Sequence, residues 1–287
     1  MSAPPSPFGE EPRIVRSPTD GVELAVFEVL PAQTGETGAH PPLLLVHGAT
    51  ADHTTWRTVG PELAASRRVF AIDRRGRGAS GDAAEYAIER EYEDLAAVAE
   101  ALARDGDAGN VDLAGHSYGG RCALGASPLT PSIRRIVVYE GAPVPAGISY
   151  RPTGLVEAVR AALGRGANEE ALTTFLAGIV GMSDAELDAY RTNPVWPARV
   201  AAAHTILREV EAEASPGASL EALGRVTVPV LLLLGSVSRS PFRIGTDALA
   251  ARLAHAEVRV IEGAAHAAHH THAHEFVAAV EAFLDRP

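Results

Sequence analysis

Residues 111–120 read VDLAGHSYGG, a strand-like run that ends in a serine flanked by glycines. Gly115 and Gly119 stand two positions before and two positions after Ser117, which is the G-x-S-x-G pattern. Such glycines can simply make a tight turn, because glycine adopts backbone angles that other residues reach only with strain. The same turn can instead lift a nucleophilic hydroxyl out of the backbone at the end of a strand. The surrounding chain decides between the two interpretations.

Strand-like and helix-like segments alternate on both sides of this turn. Short apolar runs predict seven further strands: RIVRS from 13, ELAVFEV from 23, LLLVHG from 43, RVFAID from 68, IRRIVVYE from 133, VLLLLGS from 230 and EVRVIEG from 257. From the third strand onward, helix-like segments such as the one from Glu89 separate the strands. This alternation predicts an α/β fold with a mostly parallel eight-stranded sheet and helices on both faces. The first two strands, joined at Thr19-Asp20-Gly21, predict an antiparallel hairpin at one edge.

The alternation stops between residues 143 and 223, where helical patterns follow one another without a strand. The amphipathic stretches are GLVEAVRAALG, NEEALTTFLAGIV, DAELDAYR and PARVAAAHTILREVEAEA. We therefore predict a helical cap at 143–223, inserted into an α/β core made of 1–142 and 224–287. The proline-rich residues 1–12 are expected to form a loose arm.

Composition excludes several classes of protein. A formal charge of −11 over 287 residues disfavours general affinity for nucleic acid or an anionic membrane. No apolar run approaches the roughly 18 residues of a membrane-spanning helix. Cys122 is the only cysteine, which excludes an intrachain disulfide and a cysteine-rich metal site. Because the N-terminus lacks a secretory signal pattern, we expect a cytoplasmic protein with a small-molecule substrate, and the oligomeric state stays open.

Ser117 has the strand–turn–helix context that a nucleophile elbow requires, since the helix-like YGGRCALGAS follows it directly. A serine hydroxyl is a poor nucleophile at neutral pH and needs a base within hydrogen-bonding reach. His266 follows the last predicted strand, at the carboxyl edge where sites of open parallel sheets form. We predict that His266 is this base. The alternative is that it belongs to a surface tract with His269, His270, His272 and His274.

A tetrahedral intermediate needs two N–H donors directed at its oxyanion. The residue after the nucleophile, Tyr118, is expected to supply one backbone N–H. The loop after the third strand places His47-Gly48 ahead of Ala49, whose N–H is expected to be the second donor. His47 itself is predicted to order that loop.

Two sequence patterns resemble a metal site and a dinucleotide-binding site, but each lacks a feature that such a site needs. The metalloprotease pattern H-E-x-x-H would begin at His274-Glu275, but position 278 is alanine, so the second ligand is missing. The G-x-G-x-x-G pattern at 76–81 lies outside a first βαβ unit, and the next helix begins only near Glu89. We therefore predict no metal and no cofactor, and a structural role for Asp73 in the 73–81 loop.

The chain resembles the α/β-hydrolase family. The resemblance is carried by HG at 47–48, DRRGRGAS at 73–80, GHSYGG at 115–120 and GAAH at 263–266, and it covers nearly the whole chain. It implies a mainly parallel eight-stranded sheet, a helical cap after the sixth strand, and the chain order nucleophile, acid, histidine.

One position departs from the pattern of that family. Most members carry the acid of the triad after the seventh strand, in a G-x-x-D type turn, but here the turn reads Gly235-Ser236-Val237-Ser238. Some relatives, including certain haloalkane dehalogenases, carry the acid at the end of the sixth strand, where this chain has Glu140. We predict that Glu140 is the acid. Asp247, or a triad without an acid, remains an alternative.

These residues together predict a serine hydrolase that cleaves a small carboxylic ester, lactone or thioester through an acyl-enzyme. Dehalogenase and epoxide hydrolase activities are disfavoured because they use an aspartate nucleophile in this family. C–C bond hydrolysis or acyl transfer with the same triad stays open. So does a non-hydrolytic, cofactor-free cyclase-like or ligand-binding role, which the missing acid after the seventh strand would support.

Overall fold

The computed structural model of the chain describes residues 6–32, 40–105, 108–149 and 151–286. Eight strands form one sheet in the order β1-β2-β4-β3-β5-β6-β7-β8. The strands are β1 (Arg13–Arg16), β2 (Glu23–Val29), β3 (Leu43–Val46), β4 (Val69–Ile72), β5 (Val111–His116), β6 (Ile133–Tyr139), β7 (Val230–Gly235) and β8 (Ala256–Ile261). The predicted α/β fold with an eight-stranded sheet is confirmed.

Strand directions follow the sequence pattern. β1 pairs antiparallel with β2, and β2 pairs antiparallel with β4, whereas every other neighbouring pair is parallel. The predicted edge hairpin is therefore confirmed. Strands β3, β4 and β7 consist of apolar residues and glycine, and all their residues are buried, because helices cover both faces of the sheet.

Helices follow the strands as the alternating pattern predicts. They are α1 (Gly60–Leu63), α2 (Ile88–Asp105), α3 (Tyr118–Ala126), α4 (Leu155–Gly164), α5 (Asn168–Phe175), α6 (Asp184–Arg191), α7 (Trp196–Ala201), α8 (Ile206–Ala212), α9 (Leu220–Leu223), α10 (Ser240–Ala250), α11 (Ala268–Thr271) and α12 (Ala273–Leu284). Within the described ranges, no helix combines the length and the apolar character needed to cross a bilayer. Helices α2 and α3 pack on one face of the sheet, and α12 packs on the other.

Helices α4–α9 lie between β6 and β7. Helices α4–α8 have an apolar core of their own, which includes Leu172, Trp196 and Ile206, whereas α9 packs into the core on the sheet. The long helix predicted from Pro197 is divided. A 3-10 turn at Ala202–Thr205 separates α7 from α8, and the Thr205 hydroxyl donates to the carbonyl of Ala202 at 2.7 Å. Such back-bonding by threonine competes with the regular helical hydrogen bonds and bends helices. Helix α5 continues into a π-helix at Leu176–Val180.

The N-terminal segment differs from the loose arm predicted for residues 1–12. Residues 1–5 lie outside the described residues. Phe8 is buried and bridges to Val29, the Gly9 N–H donates to the carbonyl of Glu28, and the Leu30 N–H donates to the carbonyl of Pro7. The prediction is therefore wrong for residues 7–9. One aromatic side chain with a site beside β2 is enough to hold this stretch against the sheet.

Candidate active site

Ser117 sits on a strained turn between β5 and α3. Its backbone angles are φ 53° and ψ −123°, in a region that side-chain-bearing residues rarely adopt. Backbone hydrogen bonds hold the turn. The Ser117 N–H donates to Tyr139 O at 2.8 Å, and the Ser117 carbonyl accepts from the N–H groups of Gly120 at 3.0 Å and Arg121 at 3.3 Å. Strain of this kind persists only where neighbouring structure imposes it, as at a nucleophile elbow.

The two glycines of the pattern allow close approach rather than only a turn. A Cβ on Gly115 would lie 2.5 Å from Gly120 Cα at the start of α3. A Cβ on Gly119 would overlap the carbonyl oxygens of Val46 and His47. Backbone cannot withdraw from such contacts as a flexible side chain can. The glycines therefore let β5, α3 and the loop after β3 meet around Ser117.

His266 and Glu140 are in direct contact. His266 Nδ1 lies 2.7 Å from Glu140 Oε2, and both side chains are buried. A carboxylate only accepts hydrogen bonds, so Nδ1 carries the proton and donates it. In the neutral ring, Nε2 is then left as the acceptor that a general base needs.

The other oxygen of Glu140 is held by the turn after β7. Oε1 accepts a hydrogen bond from the Gly235 N–H at 2.8 Å and another from the Ser238 hydroxyl at 2.5 Å. Glu140 also has a positive φ of 51°. The position where most relatives carry an acid is thus occupied by a serine that binds the carboxylate arriving from β6. This arrangement fixes the carboxylate and, through it, the orientation of the His266 ring.

Asp247, the alternative acid, lies on α10 and is exposed. Among the described residues, no hydrogen bond or ion pair joins it to His266. The structure therefore excludes Asp247 as the group that orients this histidine.

His116, which directly precedes Ser117, ties the histidine loop to the elbow. Its Nε2 donates to the carbonyl oxygen of His266 at 2.8 Å, and the Phe242 ring stacks on the His266 ring with centroids 4.4 Å apart. In the described part of the chain, Ser117 Oγ makes no hydrogen bond to His266, and catalytic contacts are often long without substrate. The sequence analysis did not identify His116. A histidine at the end of a buried apolar strand, directly before the nucleophile, could have indicated a polar contact at the site.

Ala49 and Tyr118, the predicted oxyanion donors, line the same cavity as Ser117. Neither backbone N–H donates a hydrogen bond to any described group. Gly48 brings the loop against the nucleophile, since a Cβ there would lie 3.2 Å from Ser117 Cβ. His47 orders that loop as predicted: Nδ1 donates to Gly48 O at 2.8 Å, and Nε2 accepts from the Arg74 N–H at 3.0 Å.

The cleft beside Ser117 has about 590 Å³ of space free of protein atoms, part of which is open to solvent. Most of its wall is apolar, formed by Ala49, Ala142, Val144, Phe175, Ile179, Val210, Pro241 and Phe242. Four charged side chains also line it, namely Arg121, Glu140, Glu209 and Glu213. An apolar cleft with a few placed polar groups is the usual form of a small-molecule site.

Glu209 belongs to a buried ion cluster that we define as Arg74, Arg77, Glu91 and Glu209. Arg74 donates to Glu91 at 2.8 Å and to Glu209 at 2.6 Å, and Arg77 also pairs with both carboxylates. Burial opposes the charge of Arg74, but Glu91 and Glu209 raise its pKa well above the ordinary value. The cluster connects α8 to α2 and to the loop after β4, and removal of one partner would leave a buried charge uncompensated.

The histidine tract does not assemble a metal site with His266. His269 is buried and His270 partly buried, both beside the Thr55 hydroxyl, while the His274 side chain is 85% exposed. Within the described ranges, one group of three side chains could hold a cation: Asp52, His53 and Asp73.

Internal hydrogen bonds already engage that group. Asp73 Oδ1 accepts from the backbone N–H of His53 at 2.7 Å and lies 2.8 Å from its Nδ1. Asp73 Oδ2 accepts from the Ala79 N–H at 2.8 Å, and Asp52 Oδ1 accepts from the Thr54 N–H at 2.9 Å. Asp73 thus holds the 73–81 loop, which is the structural role predicted for it.

We expect stability to fall on acidification because several histidines are buried in the neutral form. Burial is the main cause that lowers the pKa of His47, His116 and His269 well below the ordinary value, and that of His270 to about 3. In the unfolded chain the pKa of these rings is about 6.5. Below that pH the unfolded state binds more protons than the folded state, so the free energy of unfolding should decrease as pH falls. Urea titrations from about pH 7 to about pH 4.5 should show this decrease. A flat or rising profile over this range would contradict the neutral, buried assignment.

Comparison with known proteins agrees with the architecture. Residues 43–280 match the model of the Alpha/beta hydrolase family. The crystal structure of an alpha/beta hydrolase from Sphaerobacter thermophilus is similar with a TM-score of 0.73 and 28% identity, covering 88% of this chain and 93% of that one.

Two curated relatives match part of the chain. The 2-hydroxy-6-oxo-2,4-heptadienoate hydrolase of Pseudomonas putida is 36% identical over 129 residues, which are 43% of this chain and 44% of that protein. The 2-hydroxymuconate semialdehyde hydrolase of a Pseudomonas species is 35% identical over 130 residues, 43% of each chain. The chain therefore spans less than half of the length of these relatives.

Proposed function

The chain belongs to the alpha/beta hydrolase family, and on that basis we propose that it is a hydrolase that cleaves a small carboxylic ester, lactone or thioester through an acyl-enzyme on Ser117. The observation that carries this proposal is the contact between His266 Nδ1 and Glu140 Oε2 beside the strained turn of Ser117. A buried carboxylate, an imidazole oriented by it and a serine on an elbow form the set of groups that acyl transfer requires.

In the first half of the proposed reaction, Ser117 Oγ attacks the substrate carbonyl carbon while His266 Nε2 takes the hydroxyl proton. Glu140 stabilises the imidazolium that forms without taking the proton itself. The carbonyl oxygen becomes an oxyanion, which the N–H groups of Ala49 and Tyr118 would bind. The intermediate collapses by breaking the bond to the alkoxide or thiolate, which leaves with the proton from His266.

In the second half, water attacks the acyl-enzyme and gives its proton to His266. The new tetrahedral intermediate releases the carboxylic acid, and the proton returns from His266 to Ser117 Oγ. The net reaction consumes one water and regenerates the enzyme without an external acid or base. We also propose that residues 143–223 act as a cap that shapes the acyl site, because Phe175, Ile179 and Val210 line the cavity.

The printed names of the two curated relatives favour a second candidate, C–C bond hydrolysis. The same serine would attack a ketone carbonyl, and a carbon leaving group would take the proton in place of an oxygen or sulfur. Acyl transfer to an acceptor other than water would follow the same acyl-enzyme. The contact between Glu140 and His266 weighs against the non-hydrolytic alternative, whose support was the absence of an acid after the seventh strand.

A two-part substrate panel tests the proposal. One part contains p-nitrophenyl esters of increasing acyl length, and the other contains 2-hydroxy-6-oxo-2,4-heptadienoate. Release of p-nitrophenolate with an initial burst equal to the enzyme concentration would support the acyl-enzyme. Turnover of the dienoate alone would favour the second candidate. Turnover of neither set would contradict both.

Activity is expected to be independent of metal. The proposed reaction uses only side-chain and backbone groups of the chain. The three possible ligands at residues 52, 53 and 73 already make hydrogen bonds within and between the loops after β3 and β4. Prolonged treatment with a chelator, followed by gel filtration, should leave kcat/KM for the best ester unchanged. Loss of activity that zinc restores would contradict this expectation.

A further inference from the structure

One carboxylate oxygen of a cavity-lining residue has no hydrogen-bond partner in the described part of the chain. Glu209 is 2% exposed, and its Oε1 accepts hydrogen bonds from the guanidinium groups of Arg74 and Arg77. Its Oε2 is buried and makes no hydrogen bond to any described group. A buried acceptor without a donor has lost its hydrogen bonds to water without replacing them, which destabilises the folded chain. Because Glu209 lines the cavity beside Ser117, a molecule in the cavity can supply the missing donor.

The charges around this oxygen limit which molecule can do so. Arg121, the cavity-lining cation, lies 3.1 Å from Glu213, and Arg151 also pairs with Glu213. Arg121 is therefore already engaged by a carboxylate, and a carboxylate on the substrate would have no proton to donate to Glu209 Oε2, which disfavours an anionic group at this position. An ammonium group is disfavoured as well, because Arg74 and Arg77 already hold Glu209 from behind. A neutral O–H donor meets the acceptor without either conflict.

We infer that the cavity takes an acyl substrate that carries a neutral hydroxyl group, and that Glu209 Oε2 accepts the hydrogen bond of that hydroxyl. This inference rests on the proposed acyl-enzyme at Ser117 and names the substrate class of that site. Glu209 is thereby a specificity-determining residue. It comes from the cap segment, whereas the nucleophile comes from the sheet.

The test compares three series of p-nitrophenyl esters of matched length: the alkanoates, their ω-hydroxy counterparts and the ω-methoxy ethers. A hydroxyl both donates and accepts hydrogen bonds, whereas an ether oxygen only accepts them. The comparison of a hydroxy ester with its methoxy counterpart therefore measures the effect of the donated hydrogen bond. For the wild-type enzyme we expect kcat/KM for the best hydroxy ester to exceed that of its methoxy partner by about 10- to 100-fold.

Glu209→Gln should remove or reverse the preference for the hydroxy ester over the methoxy ester. Arg74 and Arg77 can donate only to the amide oxygen, so the amide NH₂ group takes the place of Oε2 and becomes a donor. The methoxy ester should then be hydrolysed at least as well as the hydroxy ester. Glu211→Gln, on the same helix but exposed, is the control and should keep the wild-type ratio.

The outcomes separate this inference from the proposed function. Without p-nitrophenolate release from any series, the acyl-enzyme itself is wrong. If esters are hydrolysed but the wild-type enzyme does not prefer the hydroxy series, the role of Glu209 is wrong. The same conclusion follows if a folded Glu209→Gln enzyme keeps the wild-type ratio. If that variant does not fold, the wild-type comparison alone decides.

Discussion

Ser117→Ala is expected to lower kcat by about 10⁶-fold for any ester that the wild-type enzyme hydrolyses. The reason is that the variant has no oxygen to carry the acyl group, while its cavity and oxyanion donors stay in place. Those donors and substrate binding should leave a small residual rate above the uncatalysed reaction. Steady-state kinetics at high enzyme concentration would measure the loss.

An active-site-directed phosphonate gives the same assignment without a substrate. Peptide mass spectrometry should find one adduct, on the peptide that contains Ser117, and Ser117→Ala should carry none. Unchanged circular dichroism and melting temperature would show that the variant is folded. An adduct on a different serine of active enzyme would refute the assignment of the nucleophile, although membership of the family would stand.

Glu140→Gln is expected to lower kcat by about 10⁴-fold while the fold is retained. If the amide oxygen keeps the hydrogen bonds from Gly235 and Ser238, the NH₂ group faces His266 Nδ1 as a donor, and in the opposite orientation the amide offers His266 only a neutral acceptor. It therefore no longer stabilises the imidazolium and can favour the wrong tautomer. Asp247→Asn is the matched control and should change kcat less than about twofold, because the exposed Asp247 does not contact His266.

The turn after β7 offers a rescue for that variant. Ser238 Oγ lies 2.5 Å from Glu140 Oε1, so an aspartate at 238 would bring a carboxylate close to the position that Glu140 now occupies. Glu140→Gln combined with Ser238→Asp should recover part of the lost rate, whereas Ser238→Asp alone should place two carboxylates in conflict. Equal activity of Glu140→Gln and wild-type enzyme would remove Glu140 from the proposed triad.

Local pattern was enough to predict the sheet. Each strand could be predicted because its short apolar run stands between turn residues. The glycines at 115 and 119 indicated the elbow because a side chain at either position would overlap neighbouring backbone. The arm at residues 7–9 was misjudged because composition does not reveal that a single aromatic ring has a site on the sheet. The prediction of one continuous helix from Pro197 was wrong because apolar periodicity does not reveal the hydrogen bond from the Thr205 hydroxyl to Ala202.

The polar part of the candidate site was harder to predict. Glu209 lies 135 positions from its partner Arg74, and nothing in the local sequence of either residue relates them. The Ser238 hydroxyl donates a hydrogen bond to the carboxylate of Glu140, which arrives from a different strand, and the local sequence around Ser238 does not indicate this contact. Contacts between distant segments depend on how helices are laid on the sheet, which periodicity does not determine.

The position of Glu140 on β6 has a consequence for recombination between related enzymes. Residues 111–140 carry both the serine and the carboxylate on adjacent parallel strands, in register at His116 and Tyr139. Their spacing is therefore set by sheet hydrogen bonds and not by the segment that follows. A chimera that exchanges the cap segment with that of another enzyme should inherit a new substrate range without disturbing this pair. The donor segment would have to bring a carboxylate that meets Arg74 and Arg77, because two buried guanidinium groups would otherwise lose half of their counter-charge.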